Sequence, residues 1–90
     1  MAWLAPDPSA GCLKGKVRLI VAASAPRKIA SVRFYDGKRR IGTVRRGQVG
    51  LFVGSWKTGK AKRGAHTLRA VARDAGGRTA SARERVRVCR

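Results

Sequence analysis

Arginine recurs at every second position near the C-terminus, as Arg83, Arg85 and Arg87, and Arg69 and Arg73 lie four residues apart in the segment before. Successive side chains of a strand point to opposite faces, so this spacing predicts guanidinium groups aligned on one face of a sheet. A guanidinium forms paired hydrogen bonds with phosphate or sulfate. The residue types and their spacing therefore favour anion binding.

Residues that support catalysis are scarce. His66 is the only histidine, so we expect neither a metal cluster nor an acid–base partner near it. We expect His66 to have a structural role at the start of a strand. Asp36 and Asp74 precede glycines, which is typical of turn residues. Asp7 and Glu84 complete the acidic residues, and none of the four falls in a catalytic motif. Without a glycine-rich phosphate loop leading into a helix, the sequence predicts no enzyme activity, cofactor or metal site.

The length of 90 residues predicts one small domain, and its hydrophobic content of 43% is that of a globular protein. A domain of this size buries only about 60% of its unfolded surface, so a stabilising cross-link is expected to matter. No apolar run approaches the roughly 20 residues of a transmembrane helix, and no transmembrane segment is expected.

The charge is extreme, with 22 Lys and Arg against four acidic residues and a formal net charge of +18. Such a charge attracts polyanions and opposes compaction by self-repulsion. Two explanations stay open. Either the arginines form a polyanion-binding surface, or an Ala-, Gly- and Arg-rich composition has placed them on a surface that tolerates them.

Short segments that suit strands follow one another along the chain: residues 16–23, 29–35, 39–44, 48–57, 64–73 and 79–89. Residues 1–15 are expected to be irregular, because Pro6 and Pro8 disfavour a helix and permit at most a short edge strand. Residues 24–28 and 58–65 are predicted loops, and Asp36-Gly37 predicts a tight turn. No segment of ten residues has helical periodicity, so the prediction is an all-β protein of about seven strands.

Alternation also predicts which side chains face inward. Ten apolar residues are expected to do so: Val17, Leu19, Val21, Val32, Phe34, Leu68, Ala70, Ala72, Val86 and Val88. Trp56 and Phe52 are expected to pack with Phe34 in the core or at its rim. Stacking of Trp56 on a sugar is the alternative.

Several of these segments together resemble a known family. They are Gly-Lys-Val-x-Leu at residues 15–19, Ile-Ala-Ser-Val-x-Phe-Tyr-Asp-Gly-Lys at 29–38, Gly-x-His-Thr-Leu at 64–68 and Ala-x-Asp-Ala-x-Gly at 72–77. In this order they are similar to bacterial immunoglobulin-like domains, which sit beside other domains in secreted and cell-surface proteins. The resemblance covers about residues 13–89. It implies an Ig-like antiparallel β-sandwich at residues 13–90, preceded by an irregular segment or edge strand at 1–12.

The family topology implies a disulfide and a basic face. It brings the end of the last strand to the pole where the first strand ends and the second begins, so Cys12 and Cys89 should meet and form a disulfide. A disulfide implies an oxidising compartment, here the cell surface or the extracellular space. The same topology places strands 29–35, 64–73 and 79–89 side by side. Six outward arginines would then share one face: Arg33, Arg69, Arg73, Arg83, Arg85 and Arg87.

The resemblance and the charge together give the functional prediction. We expect a non-catalytic accessory or structural module of an exported protein, joined to neighbouring domains, with a basic face that binds anionic polymers. Candidate polymers are an anionic cell-wall polymer, a sulfated glycan or nucleic acid. The alternatives are a dedicated polyanion- or nucleic-acid-binding module and an Ig-like structural protein of a virus particle. Neither a recognition helix nor a base-stacking signature is visible in the sequence.

Overall fold

The computed structural model describes residues 1–6, 11–23, 28–47 and 50–89. Within these ranges the chain forms strands joined by short turns, with a single turn of 3₁₀ helix at Thr58–Lys60. The strands are β1 (Ala2–Ala5), β2 (Cys12–Leu13), β3 (Lys16–Ala22), β4 (Ile29–Asp36), β5 (Arg39–Val44), β6 (Leu51–Lys57), β7 (Gly64–Asp74) and β8 (Thr79–Val88). The all-β prediction is confirmed.

The strands form two sheets that face each other. One sheet has the order β1-β3-β6 and the other the order β2-β8-β7-β4-β5. All pairings are antiparallel except that of β2, which runs parallel to β8 for two residues. Because β4, β7 and β8 are neighbours, the side-by-side arrangement expected of these three strands is present.

Turn residues set the two hairpins of the larger sheet. Gly37 has a φ of 61°, a left-handed conformation that glycine adopts without steric cost, and it turns β4 into β5. After β7, the Asp74 carboxylate accepts hydrogen bonds of 2.9 Å from the backbone N–H groups of Gly76 and Arg78. The predicted turn role of Asp74 is confirmed.

The core lies between the sheets and contains all ten side chains expected to face inward. Leu19, Phe34 and Leu68 have no solvent exposure, and the core also includes Ala23, Phe52 and Trp56. Burying a large apolar side chain stabilises the fold by about 1.5–3 kcal/mol, so these residues supply most of the driving force. Trp56 is 5% exposed, which confirms the predicted core packing.

The N-terminal residues are more regular than their prolines suggest. β1 pairs antiparallel with β3 at the edge of the smaller sheet. The indole N–H of Trp3 donates to the Ala82 carbonyl of β8 at 3.0 Å, and its ring lies 5.6 Å from that of Phe34. Trp3 therefore links the two sheets along one side of the sandwich.

Two other segments differ from the expected boundaries. The two-residue strand β2 brings the count of described strands to eight where about seven were expected. The predicted loop at 58–65 contains the 3₁₀ turn, in which the buried Thr58 hydroxyl donates to the Gly15 carbonyl at 2.8 Å. The predicted strand start at residues 48–49 and most of the loop predicted at 24–28 lie outside the described residues.

Cys12 and Cys89 form a disulfide, with their Cα atoms 5.4 Å apart. The Cys89 N–H also donates to the Leu13 carbonyl at 2.8 Å, beside the parallel pairing of β2 with β8. The predicted disulfide is confirmed. It ties the start of β2 to the residue that follows β8.

Within the described ranges, the chain has no helix with the length and hydrophobicity that crossing a membrane requires.

Candidate polyanion-binding face

The six predicted arginines lie on the outer surface of the larger sheet, which we call the Arg face. They alternate with buried or half-buried residues of their strands, and five of them are exposed while Arg69 is half-buried. The face comprises Arg33 on β4, Arg69 and Arg73 on β7, and Arg83, Arg85 and Arg87 on β8.

Strand register decides which arginines are neighbours. Arg69 of β7 lies directly opposite Arg83 of β8, and on its other side it lies opposite Tyr35 of β4. Side chains at directly opposite positions have Cβ atoms about 4.5–5.5 Å apart. Arg85 and Arg87 continue the row along β8 at intervals of about 6.5 Å. These four arginines form a continuous cluster toward the disulfide end of the sheet.

The other two arginines are separated from this cluster. Arg33 lies opposite Val71 on one side and Thr43 on the other. Arg73 lies opposite Ser31 and Thr79, toward the far end of β7. Arg33 can contribute at the edge of the cluster, whereas Arg73 stands farther away.

Arg69 is held in a defined position. Its guanidinium carbon lies 4.8 Å from the centroid of the Tyr35 ring, a cation–π contact. Its Nε is buried and is the one buried side-chain nitrogen or oxygen without a hydrogen-bond partner in the described part of the chain. Because Nε is shielded from solvent, the terminal nitrogens of Arg69 are the atoms that can meet an anion.

The carboxylates of these strands lie at inward-facing positions. Asp36 and Glu84 are both register partners of the buried Leu68, so alternation places them on the opposite side of the sheet from the Arg face. Asp74 is buried and bonded to its own turn. On β4, β7 and β8, all within the described residues, no carboxylate stands at an outward position. Asp7 lies outside those residues.

His66 has an acid–base partner, so the expectation that none lies near it is wrong. Its Nδ1 lies 2.9 Å from both carboxylate oxygens of Asp36, and its Nε2 bonds to the Lys62 carbonyl. Since both partners are acceptors, these contacts favour the protonated ring, which can donate from both nitrogens. Asp36 and His66 lie 30 positions apart in the chain, so local patterns do not predict this contact and indicate only a turn role for Asp36.

The pKa of His66 reflects these contacts. Burial alone would lower the pKa of the imidazole. The hydrogen bonds to the Lys62 carbonyl and the Asp36 carboxylate, together with the negative charge of Asp36, outweigh burial and raise that pKa above its ordinary value. The imidazole ring also meets Trp56 edge to face, with centroids 5.8 Å apart. His66 therefore joins the end of β4 to the segment before β7.

Sequence reasoning missed the roles of two residues near the Arg face. Alternation along β4 puts Tyr35 on the same face as Arg33, but it does not show that Tyr35 lies under Arg69. Arg40 of β5 is the register partner of Tyr35 because of an irregularity between Phe34 and Tyr35. The local sequence carries no signal for that irregularity.

The described residues contain no group of three or more His, Cys, Asp or Glu side chains that could hold a metal ion.

A scan against protein-family models and a search of curated proteins find no match for this chain. Among solved structures, the fibronectin(III)-like modules of Clostridium thermocellum CbhA match with a TM-score of 0.75. The match has 21% sequence identity and covers 96% of this chain and 91% of that one. The fold is therefore that of a fibronectin(III)-like β-sandwich, which shares its architecture with immunoglobulin-like domains. The resemblance to that fold is confirmed.

Proposed function

We propose that the chain is a non-catalytic accessory module of an exported protein, and that its Arg face binds linear anionic polymers without sequence selectivity. The observation that carries the proposal is the direct opposition of Arg69 and Arg83, extended by Arg85 and Arg87 along β8. The strands that bear them place no described carboxylate on that face.

The clustered charges give the face a reason to bind anions. Two unit charges about 5 Å apart in water repel by roughly 0.8 kcal/mol, and salt screens this repulsion. Like charges directly opposite each other destabilise a sheet. A polyanion lying across the strands replaces the repulsion with charge-assisted hydrogen bonds and releases the polymer's counterions.

The shape of the face favours a polymer over a small anion. Arg83, Arg85 and Arg87 are exposed along one strand, so a chain with charges several ångströms apart can meet them in succession. Among the described residues of β4, β7 and β8, Tyr35 is the only aromatic residue at an outward position. The Arg69 guanidinium lies over its ring. No aromatic platform is thus offered to bases, which favours contact with the backbone of a polymer over base recognition.

A non-catalytic role is consistent with the one carboxylate–imidazole pair. Both nitrogens of His66 are engaged, one by Asp36 and the other by Lys62, so neither is available to move a proton to or from a substrate. The pair holds segments of the sandwich together.

The disulfide supports export. Disulfides form and persist in oxidising compartments and are rare in the cytosol. Cys12–Cys89 closes nearly the whole domain into one loop, a cross-link suited to a small module beside other domains of a secreted or cell-surface protein.

The test compares two variants with the same net charge. In the first, Arg69, Arg83 and Arg85 become Ser. In the control, three exposed arginines away from the Arg face become Ser: Arg18, Arg46 and Arg78. Binding of heparin, polyphosphate and a single-stranded oligodeoxynucleotide is measured from low to high salt.

The parent should bind all three polymers, with an affinity that falls steeply as salt rises. For the oligonucleotide, the plot of log K against log salt should be less steep for the face variant than for the parent. Each lost phosphate contact reduces the slope by about 0.7, so three lost contacts reduce it by about 2. It should also melt slightly higher than the parent at low salt. If the face variant binds as well as the control, the face is not the site. If the parent binds nothing at low salt, the arginines reflect composition alone.

A further inference from the structure

A separate cavity of about 340 Å³ lies where edge strand β5 of one sheet meets edge strand β6 of the other. It opens at the end of the sandwich that holds the β4–β5 turn. We call it the seam cavity. Its polar lining comes from Arg39 and Arg40 of β5, Ser55 and Lys57 of β6, and Asp36.

The seam cavity is cationic. Arg39, Arg40 and Lys57 are all exposed at its lining. The Asp36 carboxylate is the acidic group there, and both of its oxygens lie 2.9 Å from Nδ1 of His66, so this carboxylate already has a partner. The three cations are therefore not neutralised by Asp36. A concave surface focuses such a charge more strongly than the open face of a sheet does.

The same cavity has an apolar side. Ile41, Trp56 and Ala61 complete its lining, and all three are buried or half-buried. A simple inorganic anion would leave this apolar surface in contact with water. Cations beside an apolar wall suit a compact ring that has an apolar face and carries an anionic group. The cavity volume is at the lower end of the range found for ligand sites.

Hydrogen bonds hold the wall of the cavity in place. Ala61 follows the 3₁₀ turn, where the backbone N–H and hydroxyl of Thr58 both donate to the Gly15 carbonyl, at 3.0 and 2.8 Å. The segment after Ala61 is tied to β7 by the bond between His66 and the Lys62 carbonyl. A wall fixed before binding reduces the ordering that a ligand must impose.

We propose that the seam cavity binds a single sugar-sized ring bearing a phosphate or sulfate ester. Arg39 and Lys57 contact the ester oxygens, Ser55 hydrogen-bonds a ring hydroxyl, and the ring lies against Ile41 and Trp56. This site is distinct from the Arg face, and it does not depend on whether polymers bind there.

The test is a titration of the ¹⁵N-labelled protein with glucose 6-phosphate, glucose 6-sulfate, glucose and inorganic phosphate, followed by NMR. The variant Arg39→Gln/Lys57→Gln removes two exposed cations of the cavity. Its control, Lys28→Gln/Arg78→Gln, removes the same two residue types from the opposite end of the sandwich. Arg40 is left in place because it also borders the Arg face through Tyr35.

Both sugar esters should shift the Trp56 indole signal and the Ser55 and Lys57 amides in a saturable way, and each should bind more tightly than glucose or inorganic phosphate. The cavity variant should bind the esters about tenfold more weakly, and the control variant like the parent. Equal binding of inorganic phosphate and glucose 6-phosphate would overturn the sugar assignment. Shifts confined to Arg69 and Arg83 would place the esters on the Arg face and overturn the cavity site, and so would an absence of shifts.

Discussion

Loss of the disulfide should remove a large share of the stability of this domain. The perturbation is the double variant Cys12→Ser/Cys89→Ser, which keeps the size of both side chains close to that of reduced cysteines. The two residues are separated by 77 positions, so the bond closes nearly the whole chain into a loop. Its main effect is expected on the unfolded state, which gains conformational freedom when the loop is opened.

The magnitude follows from the loop length. For a loop of about 78 residues the chain-entropy relation gives roughly 4.5 kcal/mol at 25 °C, and disulfides typically contribute about 2–4 kcal/mol. At about 0.05–0.15 kcal/mol per residue, the whole domain has a stability of roughly 5–13 kcal/mol. With about 4–8 °C of Tm for each kcal/mol in a domain of this size, the double variant should melt about 10–30 °C lower.

Calorimetry or circular dichroism at fixed salt and pH measures this shift. The parent treated with a reductant is the matched control, and it should melt at the temperature of the untreated double variant. Peptide mapping of parent protein purified without reductant should recover residues 12 and 89 cross-linked. An unchanged Tm in the double variant would refute the loop-closure reasoning, and two free thiols in the untreated parent would refute the disulfide itself.

Two further perturbations test the packing of the core and the partly buried ion pair of Asp36 and His66. In Gly54→Ala the new Cβ would lie 2.9 Å from a ring carbon of the fully buried Phe34, so unfolding should become easier by about 1–3 kcal/mol. Gly59→Ala, where nothing lies within 4 Å of an added Cβ, should change the free energy of unfolding by less than about 0.5 kcal/mol, and an equal loss in both variants would contradict the contact. Because the pKa of His66 is raised in the folded state, its contribution to stability should be complete below about pH 6.5 and decline as pH rises through the raised pKa. Chemical denaturation from pH 5.5 to 9 should show the parent losing stability relative to His66→Gln, and parallel curves would contradict a protonated ring bonded to Asp36.

Local patterns in the sequence predict six of the eight described strands, β3 to β8, and the side of each that faces the core. Alternation is a local property, because each residue's side is set by its position in the pleat. This is why the ten side chains expected to face inward are all buried, and why the outward arginines could be named in advance. The turn roles of Asp36-Gly37 and Asp74 were local for the same reason, since a short carboxylate and a glycine act on the backbone next to them.

Tertiary structure decided which outward side chains meet. The register that sets Arg69 opposite Arg83 and over Tyr35 arises from backbone hydrogen bonds between strands distant in the chain. An irregularity in one strand shifts that register, as it does where Arg40 becomes the partner of Tyr35. Local composition does not encode such shifts.

The contacts at the end of the sandwich were also beyond the sequence. The bond between Asp36 and His66 joins the end of β4 to the start of β7, and the seam cavity joins β5 to β6 across the two sheets. Each depends on how the sheets pack against each other and on which edge strands they bring together. The number of arginines, and the side of each strand that carries them, could therefore be predicted from the sequence. The grouping of those charges into a face and a cavity came from the pairing and packing of strands far apart in the chain.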